Sequence, residues 1–271
     1  MRYEIIPIAE KGSAPYARLC VYLWDHSPEI PIESRPLILI CPGGGYRMTS
    51  DREAEAVALR FMAMGCHAAV LRYSVSPARF PVALRELARA VTILRDHTED
   101  WHIDRYKLVV MGFSAGGHLA ASYGVFWNHP ELAAAMGCDK KLLKPNGLIL
   151  GYPVITAEKK FRHKGSFDQL LGAKADPEQL EALSLEKHAG SQVPRTFIWG
   201  TAKDDSVHPM NGLLFAQALL LNHVPVEYHL YEQGCHGLSL ANEQTLDLAR
   251  QRRQQECANW VTLAEAWLKG L

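Results

Sequence analysis

The chain has 271 residues, 48% of them apolar, with 29 basic and 29 acidic side chains. A chain of this length and apolar content can bury a sizeable core as one α/β domain spanning 1–271. Its charges are mixed along the sequence with no basic block or stripe, so composition points to neither nucleic-acid nor membrane partners. No apolar run approaches a membrane span, and Met1-Arg2-Tyr3-Glu4-Ile5-Ile6-Pro7 lacks the apolar stretch of a secretory signal. The six cysteines (Cys20, Cys41, Cys66, Cys138, Cys235, Cys257) have no metal-like spacing and read as buried thiols. A reduced, cytoplasmic protein is therefore expected.

Residues 3–8 and 17–24 read as two strands near one edge of a sheet, and the apolar run 36–41 as a central strand covered on both faces. That strand runs into Pro42-Gly43-Gly44-Gly45-Tyr46, where glycines leave backbone N–H groups unshielded. A helix is expected over 51–65, capped by Ser50 or Asp51, with Val57, Phe61 and Met64 on one face. A strand over 67–73 and a helix over 81–97 follow, the helix carrying Ala83, Leu87, Val91 and Leu94 on its apolar side. Trp101, His102 and Asp104 read as packing and turn residues.

The next stretch runs Leu108-Val109-Val110-Met111-Gly112-Phe113-Ser114-Ala115-Gly116-Gly117-His118. It is a buried strand, a sharp G-x-S-x-G turn and the start of a packed helix, the context in which that pattern exposes a nucleophilic serine. A further buried strand ends in Gly151-Tyr152-Pro153. Residues 154–193 form an irregular, charge-rich insert with helical pieces near 167–171 and 177–182, the usual place of a lid or substrate-shaping loop. His163 and His188 within it read as solvated loop histidines. A strand over 195–201 leads to Asp204-Asp205-Ser206-Val207-His208-Pro209, a helix over 211–222, and an edge strand over 226–231 ending before Gly234-Cys235-His236-Gly237. A long helix over 244–268 is expected to cover the sheet.

Alternating strands and helices argue a mostly parallel sheet with helices on both faces, and such sheets bind ligands beyond the C-terminal ends of their strands. Gly43 to Tyr46, Ser114, Tyr152, Asp204, Asp205 and His236 all fall there. A serine needs a base within hydrogen-bond reach and a carboxylate that orients the base. His236, bracketed by glycines, is the natural base, and the carboxylate is Asp204 or Asp205. Gly44, Gly45 and Ala115 are placed to supply oxyanion N–H groups. Tyr46 and Tyr152 are placed as substrate contacts.

These pieces, together with Ser50-Asp51-Arg52-Glu53-Ala54-Glu55 and Leu71-Arg72-Tyr73-Ser74-Val75, resemble the esterase/lipase group of α/β-hydrolases that contains small acetyl-xylan esterases and carboxylesterases. The resemblance covers about 36–237, with Pro42 where many relatives carry His. It implies the α/β-hydrolase fold and ester hydrolysis through an acyl-enzyme on Ser114, with neither metal nor organic cofactor. Relatives carry an Asp three or four residues before Val-Pro, a register that favours Asp205, with His208 standing before Pro209. It also implies a small-molecule ester as partner, acetylated sugars or xylo-oligosaccharides among the candidates, and leaves a homo-oligomer open. Competing readings are a prolyl-oligopeptidase-like serine peptidase, for which 271 residues leave no access-restricting domain, and a non-catalytic hydrolase-fold binding protein.

Overall fold

The computed structural model describes residues 1–247 and 255–271. Eight strands form one sheet in the order β1-β2-β4-β3-β5-β6-β7-β8. They are β1 Arg2–Pro7, β2 Arg18–Leu23, β3 Arg35–Cys41, β4 His67–Arg72, β5 Ile103–Phe113, β6 Gly147–Gly151, β7 Thr196–Thr201 and β8 Val226–Tyr231. β1 pairs antiparallel with β2, and β2 with β4, while every later pairing is parallel. The expected mostly parallel α/β sheet is what the chain builds.

The strand sequence decides which face each side chain enters, because successive residues point to opposite sides. In β3, Leu37, Leu39 and Cys41 enter one core while Ile38 and Ile40 enter the other. In β5, Leu108 and Val110 are divided from Val109, Met111 and Phe113 in the same way. The first core is covered by α2 (Val82–Asp96), α3 (Ser114–Phe126) and, beyond β6, α8 (Met210–Leu221). The second is covered by α1 (Glu55–Met62) and α9 (Trp260–Lys269). Burial of apolar side chains on both faces of one sheet is the main stabilising contribution to such a fold.

Several elements depart from the sequence expectation. The helix expected over 51–65 is interrupted: a 3-10 turn spans Asp51–Glu53, Ala54 adopts φ −117° and ψ −102°, and neither Ser50 nor Asp51 caps α1 through its side chain. The break turns Glu53 inward, where its carboxylate has partners described below. The short helices α4 (Pro130–Met136) and α5 (Lys140–Leu143) were not expected, although Pro130 at the first turn, left-handed Gly137 and the Asp139 cap on Lys141 N–H are ordinary helix punctuation. The insert after β6 holds α6 (Lys164–Leu171) and α7 (Pro177–Ala182). The expected terminal helix does not start at 244, because Leu246 leaves helical geometry with ψ 132°. A 3-10 segment, Gln255–Asn259, leads into α9, and 248–254 of that expectation lie outside the described residues.

Candidate active site

Strand β5 runs directly into α3, and the junction is Ser114 with φ +52°, a left-handed conformation rare for a residue with a side chain. The crossing is close enough that a Cβ on Gly112 would lie 2.1 Å from the Gly116 carbonyl, and one on Gly116 would lie 2.1 Å from that of Cys41. Any larger residue at either position would push helix and strand apart, so the glycines are steric requirements of the turn. Twelve of the thirteen residues of α3 are buried, which anchors the strained serine in the packed core.

His236 lies in the loop after β8, and its Nε2 is 2.7 Å from Ser114 Oγ. Its Nδ1 is 2.8 Å from Asp204 Oδ2. The Asp204 carboxylate is almost wholly covered, and its other oxygen accepts the N–H groups of Ser206 and Val207 at 2.9 and 2.8 Å. Asp205 is the correction. Its Oδ1 accepts the backbone N–H of His236 at 3.0 Å, so it holds the loop while Asp204 holds the ring. The two neighbours divide the work because Asp204 folds back on its own chain in a side-chain turn that aims Oδ2 at the imidazole. The register borrowed from relatives could not resolve that.

The glycine loop after β3 stands beside Ser114. A Cβ on Gly43 would lie 2.9 Å from Ser114 Cβ, and Gly44 has φ +131°. The Gly43 N–H is spent on Glu53 Oε2 at 2.7 Å. Those of Gly44 and Gly45 donate to no other described residue. The Ala115 N–H, in the first turn of α3, has no carbonyl within its own helix to meet. Gly44, Gly45 and Ala115 are the residues expected to supply oxyanion N–H groups.

Glu53, which falls within the helix expected over 51–65, is buried and joins three segments. Besides Gly43 it accepts the Tyr152 hydroxyl at 2.6 Å, and that hydroxyl accepts the Ser239 N–H at 2.9 Å. Arg52 beside it donates to the carbonyls of Gly237 and Thr245 at 2.8 and 3.2 Å, and its own carbonyl accepts the Ser239 hydroxyl at 2.6 Å. The chain that follows His236 is thus pinned at Gly237, Ser239 and Thr245. The signal was present as Arg52-Glu53 directly after the glycine loop.

Tyr152 and Tyr46 are not open substrate contacts. The Tyr152 ring is buried, packs edge-on at 5.0 Å against His236, and has its hydroxyl occupied by Glu53 and Ser239. Burial, then the Glu53 charge, raise its pKa well above that of an ordinary tyrosine. Tyr46 is also buried, and its hydroxyl meets His118 Nδ1 at 2.9 Å. His118 Nε2 lies 3.1 Å from the Leu183 carbonyl, so Nε2 carries the proton and Tyr46 donates to Nδ1. Burial lowers the His118 pKa to about 4, against a smaller opposing effect of the Leu183 carbonyl. Tyr46, His118, Val154, Ser166, Phe167 and Leu170 line a crevice too narrow to admit a free water molecule. It adjoins the nucleophile through Val154, whose N–H is bonded to the Ser114 carbonyl at 3.0 Å.

A strained serine at a strand-to-helix turn, aligned with His236 and Asp204 beside free backbone N–H groups, on a mostly parallel sheet, defines the α/β-hydrolase class of serine esterases. Within that class the chain belongs to the BD-FAE family, whose model matches residues 26–219. It is 38% identical over 233 residues to endo-1,4-beta-xylanase B of Butyrivibrio fibrisolvens, a match covering 83% of this chain and 35% of that protein. The chain thus spans about a third of that curated relative's length. An acetyl ester-xyloside bifunctional hydrolase from Caldicellulosiruptor lactoaceticus superposes with a TM-score of 0.83 at 33% identity, covering 98% of this chain and 96% of that one. A carboxylesterase from Lactobacillus plantarum does so with a TM-score of 0.85 at 30% identity, covering 100% and 98%.

Proposed function

We propose that the chain hydrolyses carboxylic esters through an acyl-enzyme on Ser114, with acetyl-sized acyl groups preferred and hydroxyl-rich, sugar-like alcohols as leaving groups. The observation that carries the chemistry is the unbroken line Ser114 Oγ–His236 Nε2–Asp204 Oδ2, at 2.7 and 2.8 Å. With Nδ1–H donated to Asp204, the Nε2 lone pair faces the serine hydroxyl and takes its proton as Oγ attacks the ester carbonyl. The carbonyl oxygen becomes an oxyanion within reach of the Gly44, Gly45 and Ala115 N–H groups, fixed before the reaction begins. The His236 imidazolium, stabilised by Asp204, then gives its proton to the departing alcohol, and water repeats the cycle on the acyl-serine.

The acetyl preference rests on the filled crevice beside Ser114, where Phe167, Leu170 and the Tyr46–His118 pair leave no depth for a long chain. The sugar-like alcohol draws support from the xylan- and xyloside-related names of similar proteins. The six cysteines stand as thiols and suit a reducing, cytoplasmic setting, which we propose with it.

Hydrolysis of p-nitrophenyl acetate tests the reading. Ser114→Ala is expected to lower kcat by about ten-thousandfold or more while leaving the circular dichroism spectrum unchanged. Retention of the wild-type rate by that variant would overturn the assignment.

A further inference from the structure

His163, expected to be a solvated loop residue, stands at the mouth of the site. Its Nδ1 caps α6, 3.3 Å from Ser166 N and 2.8 Å from Ser166 Oγ. Its Nε2 lies 3.4 Å from Ser206 Oγ, and the Ser206 N–H is in turn held by Asp204 Oδ1 at 2.9 Å. At the other end of this bridge, Ser166 Oγ lies 4.0 Å from where a Cβ on Gly45 would be. The start of α6 therefore spans from the oxyanion loop to the Asp204 loop.

The segment leading to His163 is held in place. Asn211 donates to the Phe161 carbonyl at 3.0 Å while its side-chain oxygen accepts the N–H groups of Ile155 and Thr156 at 2.8 and 3.0 Å. Phe161 packs at 4.7 Å against the ring of His208.

The cap fixes the tautomer. A nitrogen that accepts a backbone N–H keeps its lone pair, so the proton of a neutral His163 sits on Nε2. Burial first, then the His236 charge and Arg47, lower the His163 pKa against an opposing pull from Asp204, which keeps the ring neutral. Among the described residues its Nε2–H is engaged by Ser206 alone, at the long limit of a hydrogen bond. A half-buried donor of fixed direction thus has capacity for a stronger acceptor.

We propose that His163 determines specificity for the alcohol half of the ester, its Nε2–H donating to a hydroxyl on the carbon adjacent to the one that bears the ester oxygen. The side follows from the mechanism: His236 must reach the leaving oxygen, so the alcohol lies toward His236 and the Asp204 loop, where the His163–Ser206 pair stands. The inference rests on the ester-hydrolase reading and deepens it by naming the leaving group as a polyol or sugar.

The test compares kcat/KM for glycerol monoacetate and propyl acetate, which share a three-carbon skeleton and differ in hydroxyl groups. The wild type is expected to favour the hydroxylated ester. His163→Asn is expected to cut that ratio about tenfold, the loss of one neutral hydrogen bond. Asn is a strong N-cap, so this variant retains the helix start and removes only the reach of Nε2. His163→Ala should cut the ratio equally, and Ser206→Ala should preserve it. Equal losses on both esters in His163→Asn, or a wild type indifferent to the hydroxyls, would overturn the assignment while leaving ester hydrolysis standing. A wild type inactive on both esters and on p-nitrophenyl acetate would overturn the hydrolase reading itself.

Discussion

At the residue scale the two adjacent aspartates make opposite predictions. Asp204 orients the ring of His236 and Asp205 holds its backbone. Asp204→Asn should lower kcat by about ten-thousandfold, because an amide cannot stabilise the imidazolium and promotes the wrong tautomer. Asp205→Asn keeps an oxygen for the His236 N–H and should stay within about tenfold of the wild type. Steady-state kinetics on p-nitrophenyl acetate would check both, and a reversed order would reinstate Asp205. Ser114 and His236 were readable from sequence because each needs small residues around it, a constraint written into the glycines. The choice between Asp204 and Asp205 was not readable, since it depends on which carboxylate folds back onto Ser206 and Val207. Nor could sequence reveal that the Tyr46 and Tyr152 hydroxyls are consumed internally, because both partners, His118 and Glu53, are distant in the chain.

At the scale of elements, the strands and major helices were legible from apolar runs and periodicity, and the insert's two helical pieces were legible near α6 and α7 while their placement against the site was not. The helix α6 shows why: its position depends on long-range contacts, with Phe167 meeting the ring of His118 at 5.3 Å and Leu170 accepting the Phe80 N–H at 2.9 Å. The helix thereby forms one wall of the crevice that holds Tyr46 and His118. Replacing Phe167 by Ala should empty part of that wall and shift the acyl preference, raising the ratio of p-nitrophenyl hexanoate to acetate kcat/KM by about tenfold. The same substitution removes a buried ring, so a loss of about 3 kcal/mol in stability is expected by urea denaturation. An unchanged acyl profile in a folded variant would place the acyl pocket elsewhere.

The whole molecule carries two buried neutral histidines, His118 beside the site and His67 on β4. His67 accepts the Trp24 N–H at 3.1 Å, and burial lowers its pKa to about 4, as for His118. An unfolded histidine titrates near 6.5, so between about 6.5 and 4 the unfolded chain binds more protons than the folded one. Stability is therefore full above that window and falls as pH drops through it, by roughly 3 kcal/mol for each histidine. Urea midpoints at pH 7 and pH 4.5 would measure the loss, and His67→Asn with His118→Asn should flatten it. Among the described residues no helix is long and apolar enough to cross a membrane.

The Glu53 carboxylate and the Tyr152 hydroxyl link the Gly43 and Ser239 amides, which lie almost two hundred positions apart in sequence. The two amides bond different oxygens, Glu53 Oε2 and the Tyr152 hydroxyl, and the hydroxyl's own bond to Glu53 Oε1 ties the two together. In deuterated buffer, the Gly43 and Ser239 protons should therefore exchange together, at one opening free energy. Tyr152→Phe should uncouple them, with Ser239 exchanging faster than Gly43. The glycine loop and the loop after His236 would then be shown to open as one cooperative unit.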